Sequence, residues 1–271
     1  MRRPYAGYST IAQSVTNGRS NYHALQTSLT KRFSRGSTFL IGYTLSRSID
    51  LASQYHSGSG SPIDPAIVQD ANDFDADRGL SSFDMRHRFT LSGVFELPFG
   101  VGKKYLERKG VIGKFVSGWS LSPILTLSSG VPLTVRDFTD PCGVSGPFIT
   151  SCRPNLLRNP LLPNNQRSVN AWFDTGAFSR QSFGSFGTAG RNIIFADGAQ
   201  NLDLAIIKRT HFGRDLSGMN VEFRAEFFNL PNHPQFGPPD LDFSSTTFGQ
   251  IFSTARGSTE RVIQFGLKLT F

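Results

Sequence analysis

Cys142 and Cys152 are the only cysteines in the chain, and they lie close together in a polar, Pro/Gly-rich stretch. In an oxidising compartment such a pair reads as a disulfide closing a short surface loop. It would stabilise that loop by ~2–3 kcal/mol, chiefly through the unfolded state. No histidine stands beside them, which argues against a metal pair. Asp73, Asp75 and Asp77, with Asp84 further on, form a second group, of a kind in which alternate carboxylates can converge on a hard cation such as calcium. Gly79 falls one position late for that motif and no glutamate closes it, so a structural loop is expected instead. The histidines (His23, His56, His87, His211 and His233) are dispersed. No His-x-x-His pair or Ser/His/Asp arrangement is visible, and no enzyme activity, cofactor or metal is expected. His87, between Arg86 and Arg88, reads as part of a polar rim.

Charge narrows the partners. The net charge is +8, with one local concentration at Lys103, Lys104, Arg108, Lys109 and Lys114. No RNA-binding or helix-turn-helix signature accompanies it, so nucleic acid is not expected. A solvated turn touching anionic lipid headgroups is the better account. No run approaches the ~20 apolar residues of a helical membrane span.

The elements that must position these groups are strands. Apolar residues recur with a period of two from Tyr22 to Phe33 (Leu25, Thr27, Leu29, Phe33) and from Thr38 to Asp50 (Phe39, Ile41, Tyr43, Leu45, Ile49). The same period runs through Arg86 to Leu97, Trp119 to Val135, Asn201 to Phe212 and Asn220 to Phe228. The last strand, Arg261 to Phe271, places Ile263, Phe265, Leu267, Leu269 and Phe271 on one face against Gln264, Gly266, Lys268 and Thr270. About seven strands result. Long polar segments (51–84, 136–199 and 230–260) alternate with shorter connections, as in an up-and-down meander with its loops at one end and its turns at the other. Phe33, Phe39, Phe99, Trp119 and Phe212 near strand ends would supply an aromatic girdle. Glu222, Arg224, Glu226, Arg88, Glu96 and Lys268 fall on the opposite faces, where charges of neighbouring strands compensate one another.

The final strand, ending on an aromatic residue, resembles the C-terminal signature of Gram-negative outer-membrane β-barrels. That resemblance implies recognition of Ile263, Phe265, Leu267, Leu269 and Phe271 by the barrel assembly machinery. Several further segments resemble the barrel of Oar-like TonB-dependent transporters: Asn21–Gln26, Phe39–Ser46, Asp77–Phe89, Leu97–Gly100, Gly118–Leu121, Phe223–Asn229 and Asn232–Gly237. The resemblance implies an all-β fold, an antiparallel up-and-down transmembrane barrel of which this chain is the C-terminal part, about seven strands of twenty-two. It implies an outer-membrane location, a lipid-covered wall and, for the full-length parent and not for this chain alone, a role in substrate uptake.

A complete member of that family also carries a signal peptide, a plug domain and a TonB-contacting segment. Met1 to Tyr8 contains two arginines without the apolar stretch of a signal peptide. An odd number of strands does not close a bacterial barrel of the usual even type. Both features predict a piece of a longer protein, whose TonB contact lies in regions outside this chain. The alternative is a structural or adhesion barrel that anchors its surface loops.

Overall fold

The computed structural model describes residues 15–33, 36–53, 68–70, 72–107, 110–143, 152–212, 218–255 and 257–271. Residues Met1 to Tyr8, His56, Arg108 and Lys109, all used above, lie outside the described residues. In chain order the strands are β1 (Ser20–Arg32), β2 (Thr38–Asp50), β3 (Gly79–Leu80), β4 (His87–Glu96), β5 (Trp119–Ser128) and β6 (Pro132–Leu133). There follow β7 (Asn155–Leu156), β8 (Phe178–Ser179), β9 (Ile194–Phe195), β10 (Ala199–Phe212), β11 (Met219–Phe228) and β12 (Val262–Thr270). One helix, α1 (Gly110–Val116), stands between β4 and β5.

Seven of these strands form one wall in the order β1-β2-β4-β5-β10-β11-β12, every neighbour antiparallel. They run from nine residues in β12 to fourteen in β10. At ~3.3 Å per residue that is ample for a tilted crossing of an apolar band ~25 Å tall. The register joins the seven apolar faces into one surface. Leu29, Ile41, Leu91, Leu125 and Leu202 lie in one row across five strands. Nearer the turns, Phe95, Leu121, Ile206, Ala225 and Phe265 form another. A slip of one residue anywhere would turn a strand inside out, so these rows specify the pairing.

The opposite face is polar. Gln26, Thr44, Arg88 and Ser128 share a row, and Arg209, Glu222 and Lys268 share another. Glu222 accepts from Arg209 across the strands (2.6 Å) and from Arg224 on its own strand (2.5 Å). Glu96 instead binds Lys103 of the following turn. On the apolar side Leu25, Phe265, Leu267 and Leu269 are more than half exposed to the surroundings. A continuous apolar face of this size needs a covering, and in a barrel lipid supplies it.

Among the described residues the wall is open. β1 and β12 each have one unpaired edge, and the odd count makes them run in the same direction. Unpaired edges are not sustained inside hydrocarbon.

Three expectations need correction. The strand expected from Trp119 to Val135 stops at Ser128, and Pro132–Leu133 pairs instead with Ile194–Phe195. The reason lies at Gly130, where a Cβ would sit 1.8 Å from the carbonyl oxygen of Ala196, so two chain segments cross in near contact there. The turn between β4 and β5 holds a helix that no periodicity announced. Most important, the polar segments 136–199 and 230–260, together with Leu133 and Val135 just before the first, contain the buried apolar cluster, which sits at one end of the wall and not within it.

Candidate functional site: a lid at the loop end of the wall

All three long connections (51–86, 129–198 and 229–261) leave from the same end of the wall, and the shorter ones from the other. The second and third share one core. Leu133, Val135, Trp172, Phe173, Ala177, Phe178, Ala189 and Ile194 of the second pack with Ile251 of the third. Phe248 of the third loop enters between Phe173 (ring centroids 5.1 Å) and Phe178 (5.8 Å), edge on to both. Phe236 meets Trp172 edge on at 6.2 Å, and the indole N–H of Trp172 donates to the Phe195 carbonyl at 2.7 Å. Such aromatic pairs add ~0.5–1.5 kcal/mol each beyond the area they bury.

The first loop is fastened to this body by ions and amides. Arg153 pairs with Asp77, and both side chains are at most 5% exposed. Asp77 also accepts the backbone N–H of Gln69 (2.7 Å), while Gln69 accepts from the Arg153 backbone (2.8 Å) and donates to the Gly187 carbonyl (3.1 Å). Arg191 pairs with Asp50, the last residue of β2, and donates to the carbonyls of Asp50 (2.8 Å) and Asp77 (2.9 Å). Next to it, Asn192 donates to the Leu80 carbonyl at 2.6 Å and accepts from Thr134 at 2.7 Å. Gly79 is required here, because a Cβ would lie 2.8 Å from the carbonyl oxygen of Arg191.

The direction of these contacts gives the assembly its character. Ser46, Ser48 and Asp50 belong to the polar face of β2 and are buried by the first loop. Ser48 meets Ser81 hydroxyl to hydroxyl at 2.8 Å, and Ser46 donates to the Met85 carbonyl at 2.8 Å. At the third loop, Asn229 donates its N–H to Asp203 on the polar face of β10 (2.9 Å). The loops therefore fold inward over the polar side of the wall, as a lid.

The aspartates considered for calcium are directed elsewhere, one by one. Asp73 caps the short turn 74–77 by accepting from Ala76, Asp75 pairs with Arg19, Asp77 with Arg153, and Asp84 accepts from the Ser48 N–H at 2.6 Å. Cys142 and Cys152 are joined as a disulfide with Cα atoms 6.1 Å apart, and although Asp140 is close by, bonded sulfurs are no longer thiolate ligands. His87 bonds Tyr43 (2.9 Å) and His211 bonds Asn220 (3.0 Å), both between wall strands. His233 lies in a turn that Asn229 closes at both ends. Asp240 is pushed up by partial burial, but hydrogen bonds from Ser245, Thr247 and the Asp242 backbone outweigh this and hold it below the ordinary carboxylate value.

Residues Ile263, Phe265, Leu267 and Leu269 stand exposed on the apolar face of β12, the edge strand, and Phe271 follows it fully exposed. Phe33, Phe39, Trp119 and Phe212 fall at the turn end of the apolar face, Phe39 stacking on Phe95 at 6.4 Å, while Phe99 sits in the turn against Tyr105 at 6.3 Å. Arg153, Arg191, Gln69 and Phe248 were not foreseen as a group.

A wall with one continuous apolar face, one polar face and all its long loops at one end is the arrangement of a sector of a membrane β-barrel. The chain belongs to the family described as outer membrane beta barrel domain, whose match spans residues 1–264. Its place is the outer membrane. No curated protein and no solved structure matches it.

Proposed function

We propose that this chain is the C-terminal barrel portion of an Oar-like TonB-dependent transporter, one sector of the wall with the lid through which a ligand passes. The observation that supports this reading is the lid: three loops folded inward over the polar face and fastened by two buried Arg–Asp pairs. A pore that only held its loops out for display would not need them bent over its lumen. In this reading β12, with Ile263, Phe265, Leu267, Leu269 and Phe271, is the strand that the barrel assembly machinery engages. Further strands, from the rest of a longer protein, pair with β1 and β12. TonB acts through regions N-terminal to these residues. The chain performs no covalent chemistry, binds no nucleic acid, and its only cofactor-like partner is outer-membrane lipid.

Uptake by cells carrying the whole gene product tests it, with a ferric chelate, a maltodextrin and a tripeptide as labelled probes in TonB-competent and TonB-deficient hosts. Saturable accumulation of one probe, lost without TonB, is the expected result. TonB-independent diffusion of all three would overturn it. A second reading, surface adhesion, is favoured by Phe183 and Phe252, exposed by 89% and 70% on the lid. It predicts that replacing both by serine abolishes cell attachment while uptake stays unchanged.

A further inference from the structure

The turn end of the wall carries an apolar face of its own. In α1, Val111, Ile112 and Phe115 are exposed by 86%, 67% and 75%. At ~100° per residue these three fall within one arc of about 100° on the helix. Nothing within the described residues covers them. Four contacts show which side of the wall they lie on. The Trp119 indole N–H donates to the Phe115 carbonyl at 3.0 Å. Lys208 donates to the carbonyls of Lys114 (2.7 Å) and Ser117. Lys114 in turn lies over the ring of Phe212 at 5.0 Å. Trp119, Lys208 and Phe212 all belong to the apolar face of the wall, Trp119 standing directly opposite Lys208 in the register. The helix is thus hung on the outward, lipid-facing side of β5 and β10, at their turn-end rim.

We propose that α1 is an interfacial foot, seating Val111, Ile112 and Phe115 in the surface of the phospholipid leaflet that borders the turn end of the wall. This rests on the barrel reading and continues its lipid-covered face by one more element. Two features select the occupant. The apolar arc extends a surface that lipid already covers, so the same solvent reaches it. The charge around it is basic: Lys103, Lys104, Lys114 and Lys208 stand against Glu96 and Glu107 in the structure, and the sequence adds Arg108 and Lys109. An apolar arc flanked by lysines fits a leaflet containing anionic phospholipid, whose surface potential attracts basic groups.

The test places an environment-sensitive fluorophore on the full chain at one of three cysteines: Ile112→Cys in the foot, Phe265→Cys in the wall and Phe183→Cys on the lid. The whole gene product that carries these strands is reconstituted in phosphatidylethanolamine–phosphatidylglycerol vesicles with a nitroxide near the headgroup or near the chain end. At residue 112 the label should lose fluorescence to the shallow nitroxide and little to the deep one. At residue 265 it should be quenched by lipid nitroxide, and at 183 by neither. In pure phosphatidylcholine the shallow quenching at 112 should weaken. If 265 is quenched and 112 is not, the foot is refuted while the wall stands. If 265 is not quenched, the barrel reading fails and the foot falls with it. Equal quenching at 112 by the deep nitroxide would also overturn the proposal, since it would put the helix inside the hydrocarbon.

Discussion

Replacing Asp77 by alanine should open the lid and leave the wall intact. Asp77 is 1% exposed and receives three donors: the Arg153 guanidinium, the Gln69 backbone N–H and, through its own carbonyl, Arg191. The substitution removes the carboxylate but not the Arg153 cation, whose side chain is 5% exposed and is left without its counter-charge. Breaking one side of such a pair costs ~3–5 kcal/mol. At ~1.4 kcal/mol per power of ten, the open population of the lid rises by about two to three and a half orders of magnitude. The wall strands contribute no residue to the pair beyond Asp50 next door, so their stability is not touched. Limited proteolysis of the embedded protein reads the open population when opening is fast relative to cleavage. Cleavage within residues 68–84 and 152–192 should accelerate accordingly, with the heat-induced mobility shift of the barrel unchanged. The double substitution Asp77→Leu with Arg153→Met should recover much of the loss, because neither charge then remains buried. If Asp77→Ala changes cleavage by less than about twofold, the span of an ordinary surface substitution, then the pair does not hold the lid and the reasoning is wrong.

Three further outcomes follow from the same geometry. Phe265→Lys puts a charge on the lipid face and should destabilise the wall by ~2–4 kcal/mol, whereas Gln264→Lys on the polar face should be tolerated; chemical unfolding of the reconstituted protein compares them. Reducing the Cys142–Cys152 disulfide should speed proteolysis around residues 137–153 as a loss of ~2–3 kcal/mol confined to the second loop, and Cys142→Ser should reproduce it without reductant. Asp240 has a folded pKa below its ordinary value of 3.8, so its stabilising hydrogen bonds are fully present above that value and are lost as pH falls through the folded one. Hydrogen exchange of residues 240–250 should therefore be indifferent to pH between about 5 and 8 and quicken, relative to its intrinsic rate, only below about pH 4, and Asp240→Asn should abolish that acid step.

The wall was legible because its information is local. Alternation along one strand determines which face each residue occupies, and the register then had only to align Leu29, Ile41, Leu91, Leu125 and Leu202 with their neighbours. Strand ends were less clear where proline and glycine intervened, and the Trp119 strand ran too far in the sequence reading for that reason. The lid was invisible for the opposite cause. Its apolar residues are thinly spread through polar segments and follow no period. Its partners are remote: Asp77 and Arg153 are 76 positions apart, and Asp77 and Arg191 are 114. The aspartates at 73–84 drew attention as a cation loop because their spacing is local, while the arginine that claims Asp77 is not. The helix after Pro98 escaped because seven residues give too little of a 3.6-residue period to read.

The way the lid is interleaved also fixes an order of events during biogenesis. Leu133, Val135, Trp172 and Phe173 are covered only when Phe236, Phe248 and Ile251 arrive, and those residues lie beyond the β10–β11 hairpin. Closing contacts of such sequence separation is slow, because the entropy of the intervening loop is lost before the contact is gained. Residues 129–198 must therefore pass through the periplasm as an unfinished, aromatic-bearing segment that invites aggregation. The lid completes last, after the hairpin is in place, so the segment that closes over the polar face is also the one that stays uncovered longest.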